Sequence, residues 1–263
     1  MAILSGLGEW FDKGRRSFAG WQEFIGETTV DCLSLIVRPR NFRFGDFLLA
    51  FQRASYSGLA ISTGIGFLLG LILAFESAAA LRSFGVEVYV ADLLTIGLFR
   101  ELGPLVTAII LAGRSGIAFA ADIGTMKVDE ELDALATMGL RPVRFLVLPR
   151  VAAATLAMPV LTVFAELAGL VGGAIVLRVM DVPTVVFWAH VESTATLFMI
   201  VFGLAKACLF GMLVGLIGCF SGMRTKATAD GVGVAATAAV VSSIVAIAVT
   251  DGILAVVCYI WNV

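Results

Sequence analysis

Five long apolar runs constrain this chain more than any other feature. They extend from about Ala54 to Phe75, Leu93 to Gly113, Val151 to Leu177, Ser193 to Met223 and Val232 to Ile260. Each reaches or exceeds the roughly 20 residues that an α-helix needs to cross a bilayer core. In lipid a backbone can satisfy its N–H and C=O groups only by helical bonding or by a closed barrel, and unbroken runs of this length require helices. Composition agrees: 60% of the residues are hydrophobic and 14% charged, with a mean hydropathy of +1.01, the balance of a polytopic membrane protein. A net charge of -2 without a basic patch argues against nucleic acid as a partner. The expected fold class is all-α: an interfacial amphipathic N-terminal helix, five transmembrane helices and a cytoplasmic docking helix. The expected division is an arm over residues 1–45 and a five-helix domain over 46–263.

The arm carries too much charge to span. Leu4, Leu7, Phe11, Phe18, Trp21 and Ile25 fall on one helical face and Glu9, Asp12, Lys13, Arg16, Glu23 and Glu27 on the other. That pattern predicts a helix lying on the membrane surface, with Trp10 and Trp21 at headgroup depth. It lacks the h-region and cleavage site of a signal peptide. Outside the spans, the arm holds seven Lys and Arg residues, the loop from Arg114 to Arg150 five, and the loop with Arg224 and Lys226 two, against one each (Arg82 and Arg178) in the remaining loops. The positive-inside rule then places the N-terminus in the cytoplasm, and five spans leave the C-terminus outside. Five spans cannot form two matching halves, so a symmetric pathway would come from a homodimer.

Ionisable residues interrupt four of the runs. Only about 12 residues separate Glu101 from Arg114, too few to span, so Arg100 and Glu101 must lie inside the membrane. Glu166, Lys206 and Asp251 sit within the third, fourth and fifth runs. A charge at a helix centre costs about 2.5–3.5 kcal/mol on insertion scales, so such residues pair or face a hydrated cavity. Two readings follow, a structural network tying helices together and a polar cavity or gate. Pro104 cannot donate to the Arg100 carbonyl, and with Gly103 beside it predicts a kink or break at the charged pair.

The polar stretch after the second run is patterned as a docking helix over about 125–140. Val128, Leu132, Leu135 and Met138 or Gly139 share a face, Asp129, Glu130 and Glu131 place negative charge at the N-terminal end, and Gly139 before Pro142 supplies a stop. Its apolar stripe needs cover, and its acidic cluster disfavours anionic lipid, so the expected cover is a cytosolic protein. The sequence has no G-x-x-x-x-G-K-[ST] loop and no nucleophile or metal-ligand constellation, so it reads as a non-enzyme. His190 reads as an interfacial side chain beside Trp188.

The run RELGPLVTAIILAGRSGIAFAADIGTMKVDEELDALATMG, from Arg100 to Gly139, and the later stretch from Ser221 to Gly252 resemble the MlaE (YrbE-type) permeases, membrane subunits of ABC systems that move phospholipids with an MCE-domain protein. The resemblance covers nearly the whole chain. It implies a homodimer, a cytosolic ATPase that binds ATP and Mg and docks on the loop helix, an MCE assembly on the outer side, and a small accessory cytosolic subunit. No cofactor or metal is expected in this chain itself. The segment Asp133 to Gly139 followed by Val147-Leu148-Pro149 is also similar to the coupling loop of ABC importers, with Asp in place of Glu and a shorter gap. Under this reading Asp129, Glu130, Glu131, Leu132, Asp133, Leu135 and Gly139 couple to the ATPase. Arg100, Glu101, Pro104, Glu166, Lys206 and Asp251 pair helices or gate, and Leu73, Leu81 and Leu102 contact lipid. Two rivals stand beside it: a proton-coupled secondary transporter of an amphiphile, and a scaffold that transports nothing.

Overall fold

The computed structural model describes residues 19–34 and 43–260. Eight helices and no strand occur among them. They are α1 (19–34), α2 (Phe44–Arg82), α3 (Glu87–Val128), α4 (Glu131–Thr137), α5 (Val143–Val179), α6 (Thr184–Thr194), α7 (Leu197–Met223) and α8 (Ala229–Ile260). The five long ones, α2, α3, α5, α7 and α8, are apolar and long enough to cross a membrane. The chain is therefore an all-α polytopic membrane protein. One end of the bundle, the arm side, carries α1 and α4, and the other, the far side, carries α6.

The helices outrun the apolar runs. At 1.5 Å per residue, the 39 residues of α2 reach about 58 Å, nearly twice the roughly 30 Å of hydrocarbon. Hydropathy marks where lipid is, whereas a helix ends only where something breaks it. Asp46, Arg53, Glu76 and Arg82 are all compatible with helix, and the first left-handed residue after them is Gly85 at φ 70°.

One face of α2 explains the arrangement of the bundle. Its buried residues are Ala54, Gly58, Ser62, Gly66, Gly70, Ala74 and Ala78, a small side chain at every fourth position. Such a stripe lets two backbones approach closely, which offsets the weak hydrophobic driving force between helices in lipid. The partner is α5: a Cβ on Gly70 would collide with the backbone carbonyl of Gly169. Larger residues on α2, including Leu68, Ile72 and Phe75, face outward. Helix α5 is the central member, packed on α2 on one side and α7 on the other, while α3 and α8 complete the layer around α7.

Helix α3 differs from the expectation of a break at Pro104. It runs from Glu87 to Val128 and absorbs the disturbance in two π turns, Leu98–Leu102 and Ala112–Gly116. In the first turn the Gly103 N–H bonds to the Leu98 carbonyl, five residues back, so the helix widens before the proline.

The described part of the arm is held by contacts that the sequence pattern does not reveal. Trp21 packs on Phe220 with ring centroids 4.0 Å apart, and Phe24, Thr28 and Asp31 form the buried face of α1. Buried Asp31 pairs with Arg141 at 2.9 Å. Ile25, Val30 and Leu33 lie exposed on the outer face. The helix is thus anchored on the bundle through Trp21, while Ile25, placed with it on one stripe by the sequence pattern, lies on the exposed side. Trp10 and the remaining arm positions up to Phe18 lie outside the described residues.

Candidate functional site

The charged residues of the spans converge on Lys206. Its ammonium, 1% exposed, lies 2.5 Å from Glu101 Oε2 and 2.5 Å from Asp251 Oδ1. It also donates a hydrogen bond to the Arg100 carbonyl at 3.3 Å. That carbonyl is the acceptor that Pro104, having no N–H, leaves open in an α-helical register, so the lysine satisfies a defect created four residues further on. Asp251 Oδ1 meets the ammonium as an ion pair off the line that a hydrogen bond requires. Three helices, α3, α7 and α8, are thereby joined at the widened turn of α3. A buried cation between two carboxylates is stable only while both remain, because an unpaired charge has no water to solvate it. Glu101 and Asp251 are 35% and 17% exposed, so the cluster is closed on the lysine side and partly open on the carboxylate side.

Glu166 stands outside this cluster. It is buried on α5 against Gly103, where a Cβ would sit 2.7 Å from the Glu166 Cγ. Lys206 thus pairs with Glu101 and Asp251, and Glu166 is not among its partners. Pro104 is buried beside the cluster. Arg100 is half-buried and contributes its carbonyl to Lys206.

Leu73 and Leu81 pack half-buried against the far-side core of Ala74, Ala78, Val90, Leu94 and Leu98. Leu102, half-buried beside Glu101, belongs to neither large core cluster. The chain brings the first two together and leaves the third separate.

The docking segment is two elements rather than one helix. Residues 125–128 finish α3, Asp129 and Glu130 form the joint, and α4 starts at Glu131. Glu130 holds a left-handed backbone at φ 58°, which separates the two helices at the joint. The expected stop is present: Gly139 at φ 76° donates to Ala136 O, and Leu140 donates to Leu135 O, the paired bonds of a Schellman cap. The expected stripe is largely covered by the chain itself. Leu132 is buried in the arm-side core and Leu135 packs on it. What remains open is Asp129, Glu130, Glu131, Asp133 and Gly139, with Met138 66% and Leu140 40% exposed. The short helix alternates an inward leucine with an outward acidic residue, a pattern a single long helix had obscured.

Reading the sequence alone missed three long-range pairs. Asp31 binds Arg141 across the arm, and on the far side Asp92 accepts from Thr194 Oγ1 at 2.6 Å and meets His190 Nδ1 at 3.1 Å. His190 is therefore tied to α3 rather than standing only as an interfacial ring. Partners about a hundred residues apart leave no local spacing signal.

Comparison with known proteins places this geometry. The family model described as Permease MlaE matches residues 47–257. A probable ABC transporter permease protein of Rickettsia typhi is 35% identical over 220 residues, 83% of this chain and 81% of that one. One of Synechocystis is 36% identical over 184 residues, 70% of each chain. The intermembrane phospholipid transport system permease protein MlaE of Haemophilus influenzae is 33% identical over 196 residues, 74% of this chain and 75% of that protein. With five spans, a charge cluster seated on the widened turn of α3 and this match over most of its length, the chain belongs to the MlaE family of ABC transporter permeases.

Proposed function

We propose that this chain is the membrane subunit of an ATP-driven transporter that moves phospholipid between the inner and outer membranes. It works as a homodimer in the inner membrane with the arm side in the cytoplasm and the C-terminus in the periplasm. A separate cytosolic ATPase binds ATP and Mg and docks on the exposed acidic face of α4 with Met138 and Leu140. An MCE-domain protein receives or supplies lipid on the far side, and a small accessory cytosolic subunit completes the assembly. Leu73, Leu81 and Leu102 offer the apolar contacts for acyl chains.

The Lys206 cluster carries this reading. Helix α3 runs without a break from Glu101 to Val128, about 40 Å at 1.5 Å per residue, and then enters α4. A push on α4 is therefore delivered along one rigid element to the joint that holds α3 to α7 and α8. Closed, the joint keeps the three spans together; strained, it frees two carboxylates and an ammonium to reorganise around a lipid headgroup. Purification in mild detergent, followed by mass spectrometry of proteins and lipids, tests the assembly. An ATPase and phospholipid should accompany the chain, and Met138→Asp should release the ATPase while phospholipid stays. Purification without either would count against the proposal.

A further inference from the structure

A second charged feature lies at the arm side, away from Lys206. Three arginines mark the boundaries of three apolar runs: Arg53 directly precedes Ala54, Arg150 directly precedes Val151, and Arg114 directly follows Gly113. All three line a single cavity of about 510 Å³ between α2, α3 and α5, together with Arg43. Two aspartates, Asp46 and Asp122, share it. Arg43 is engaged, pairing with Asp46 at 2.7 Å and lying 3.9 Å over the Phe145 ring. Arg150 donates to the Leu146 carbonyl at 3.1 Å and lies 3.9 Å from Asp122. The guanidiniums of Arg53 and Arg114 have no hydrogen-bond or ion-pair partner among the described residues, and both residues are exposed. The rest of the wall includes apolar Leu49, Phe119 and Met126.

We propose that this cavity binds the phosphate of an anionic phospholipid. Four arginines against two aspartates leave an excess of positive charge, and the two unengaged guanidiniums have the planar fork that holds phosphate oxygens in pairs. The depth fits a headgroup, because each arginine stands where an apolar run meets the polar layer. The volume lies within the ordinary range of ligand sites. On the span side of the arginines the wall is Ala54 and Ser57, whereas Leu49, Phe119 and Met126 line the arm side, so the arginines sit at the inner edge of the cavity, next to the apolar runs. A lone interfacial arginine needs no such explanation, since it snorkels to bulk headgroups. Three from different helices converging on one cavity form a site. The assignment of this site to the cytoplasmic leaflet rests on the orientation proposed above; the binding itself does not.

The test is a titration of the purified full-length permease in detergent with short-chain phosphatidylglycerol, read by native mass spectrometry, without any ATPase. Failure of ATP-driven transport therefore leaves its result standing. Arg53→Gln and Arg114→Gln should each weaken binding about tenfold. Arg53→Lys and Arg114→Lys should recover part of the loss, because they keep charge without the fork. Arg82→Gln and Arg178→Gln on the far side should bind as the unaltered chain does. Neither guanidinium holds another of the described residues, so an unchanged elution profile is expected, and either variant alone decides the matter. Equal losses at all four arginines, or none, would reduce the cavity to bulk attraction and overturn the proposal. Displacement of the lipid by inorganic phosphate at matched concentration would make the ligand a soluble anion and overturn the lipid assignment.

Discussion

Replacing Lys206 by methionine keeps the length of the side chain and removes the charge that Glu101 and Asp251 share. With the ammonium gone, two carboxylates face each other without compensation, and the Arg100 carbonyl loses its donor. The expected loss is about 3–5 kcal/mol, the usual consequence of breaking a buried pair. Adding Glu101→Gln and Asp251→Asn to that variant should restore part of the stability, because neutral side chains remove the repulsion. Thermal unfolding of the unaltered chain, the Lys206→Met variant, the Glu101→Gln/Asp251→Asn variant and the triple variant in one detergent measures this, and strictly additive losses would contradict a shared cluster. That these residues matter was legible in the sequence, since an ionisable group inside an apolar run must be accounted for. Which of them pair was not. The choice of Asp251 over Glu166 depends on the relative rotation of α5, α7 and α8, and no spacing along the chain encodes it.

Helix contacts give two matched comparisons. Gly70→Val should separate α2 from α5, because a Cβ there meets the Gly169 backbone, which cannot move aside as a side chain can. A loss of about 1–3 kcal/mol or more is expected for such overpacking. Gly64→Val, six residues earlier and facing open space, should leave the melting temperature nearly unchanged. Similar shifts for both would show that helix propensity rather than close approach governs the stripe. In the docking segment, Leu132→Asp should cost at least about 2 kcal/mol, since it removes a buried leucine from the core. Met138→Asp, on the exposed side, should unfold like the unaltered chain yet lose ATPase binding in a pull-down. A pull-down unaffected by Met138→Asp would remove that surface from the docking assignment. The five spans and the Gly139 stop were readable because apolar length and a glycine after a helix each have one physical cause. The split of the docking helix was not, because Asp129-Glu130 are tolerated in helices and only the left-handed backbone of Glu130 reveals the turn.

Taken whole, the molecule links an acidic, partly open surface at its arm side to a buried ion-pair cluster through one uninterrupted helix. Outside that path, α8 turns Val241, Val245, Val249 and Ile253 outward, an apolar face for lipid or a second copy of the chain. The membrane class was legible from hydropathy alone, whereas the anchoring of α1 through Trp21 and Asp31 was not, because it depends on Phe220 and Arg141 far along the chain. The central claim is that ATP hydrolysis by a docked partner drives phospholipid through this subunit. Its most direct test is the movement of a labelled phospholipid in proteoliposomes holding the chain with its ATPase and MCE partner. The account predicts lipid movement that requires ATP, is abolished by Met138→Asp and by Lys206→Met, and is indifferent to a proton gradient. Movement driven by a proton gradient in the chain alone, or no ATP-dependent movement with every partner present, would contradict it.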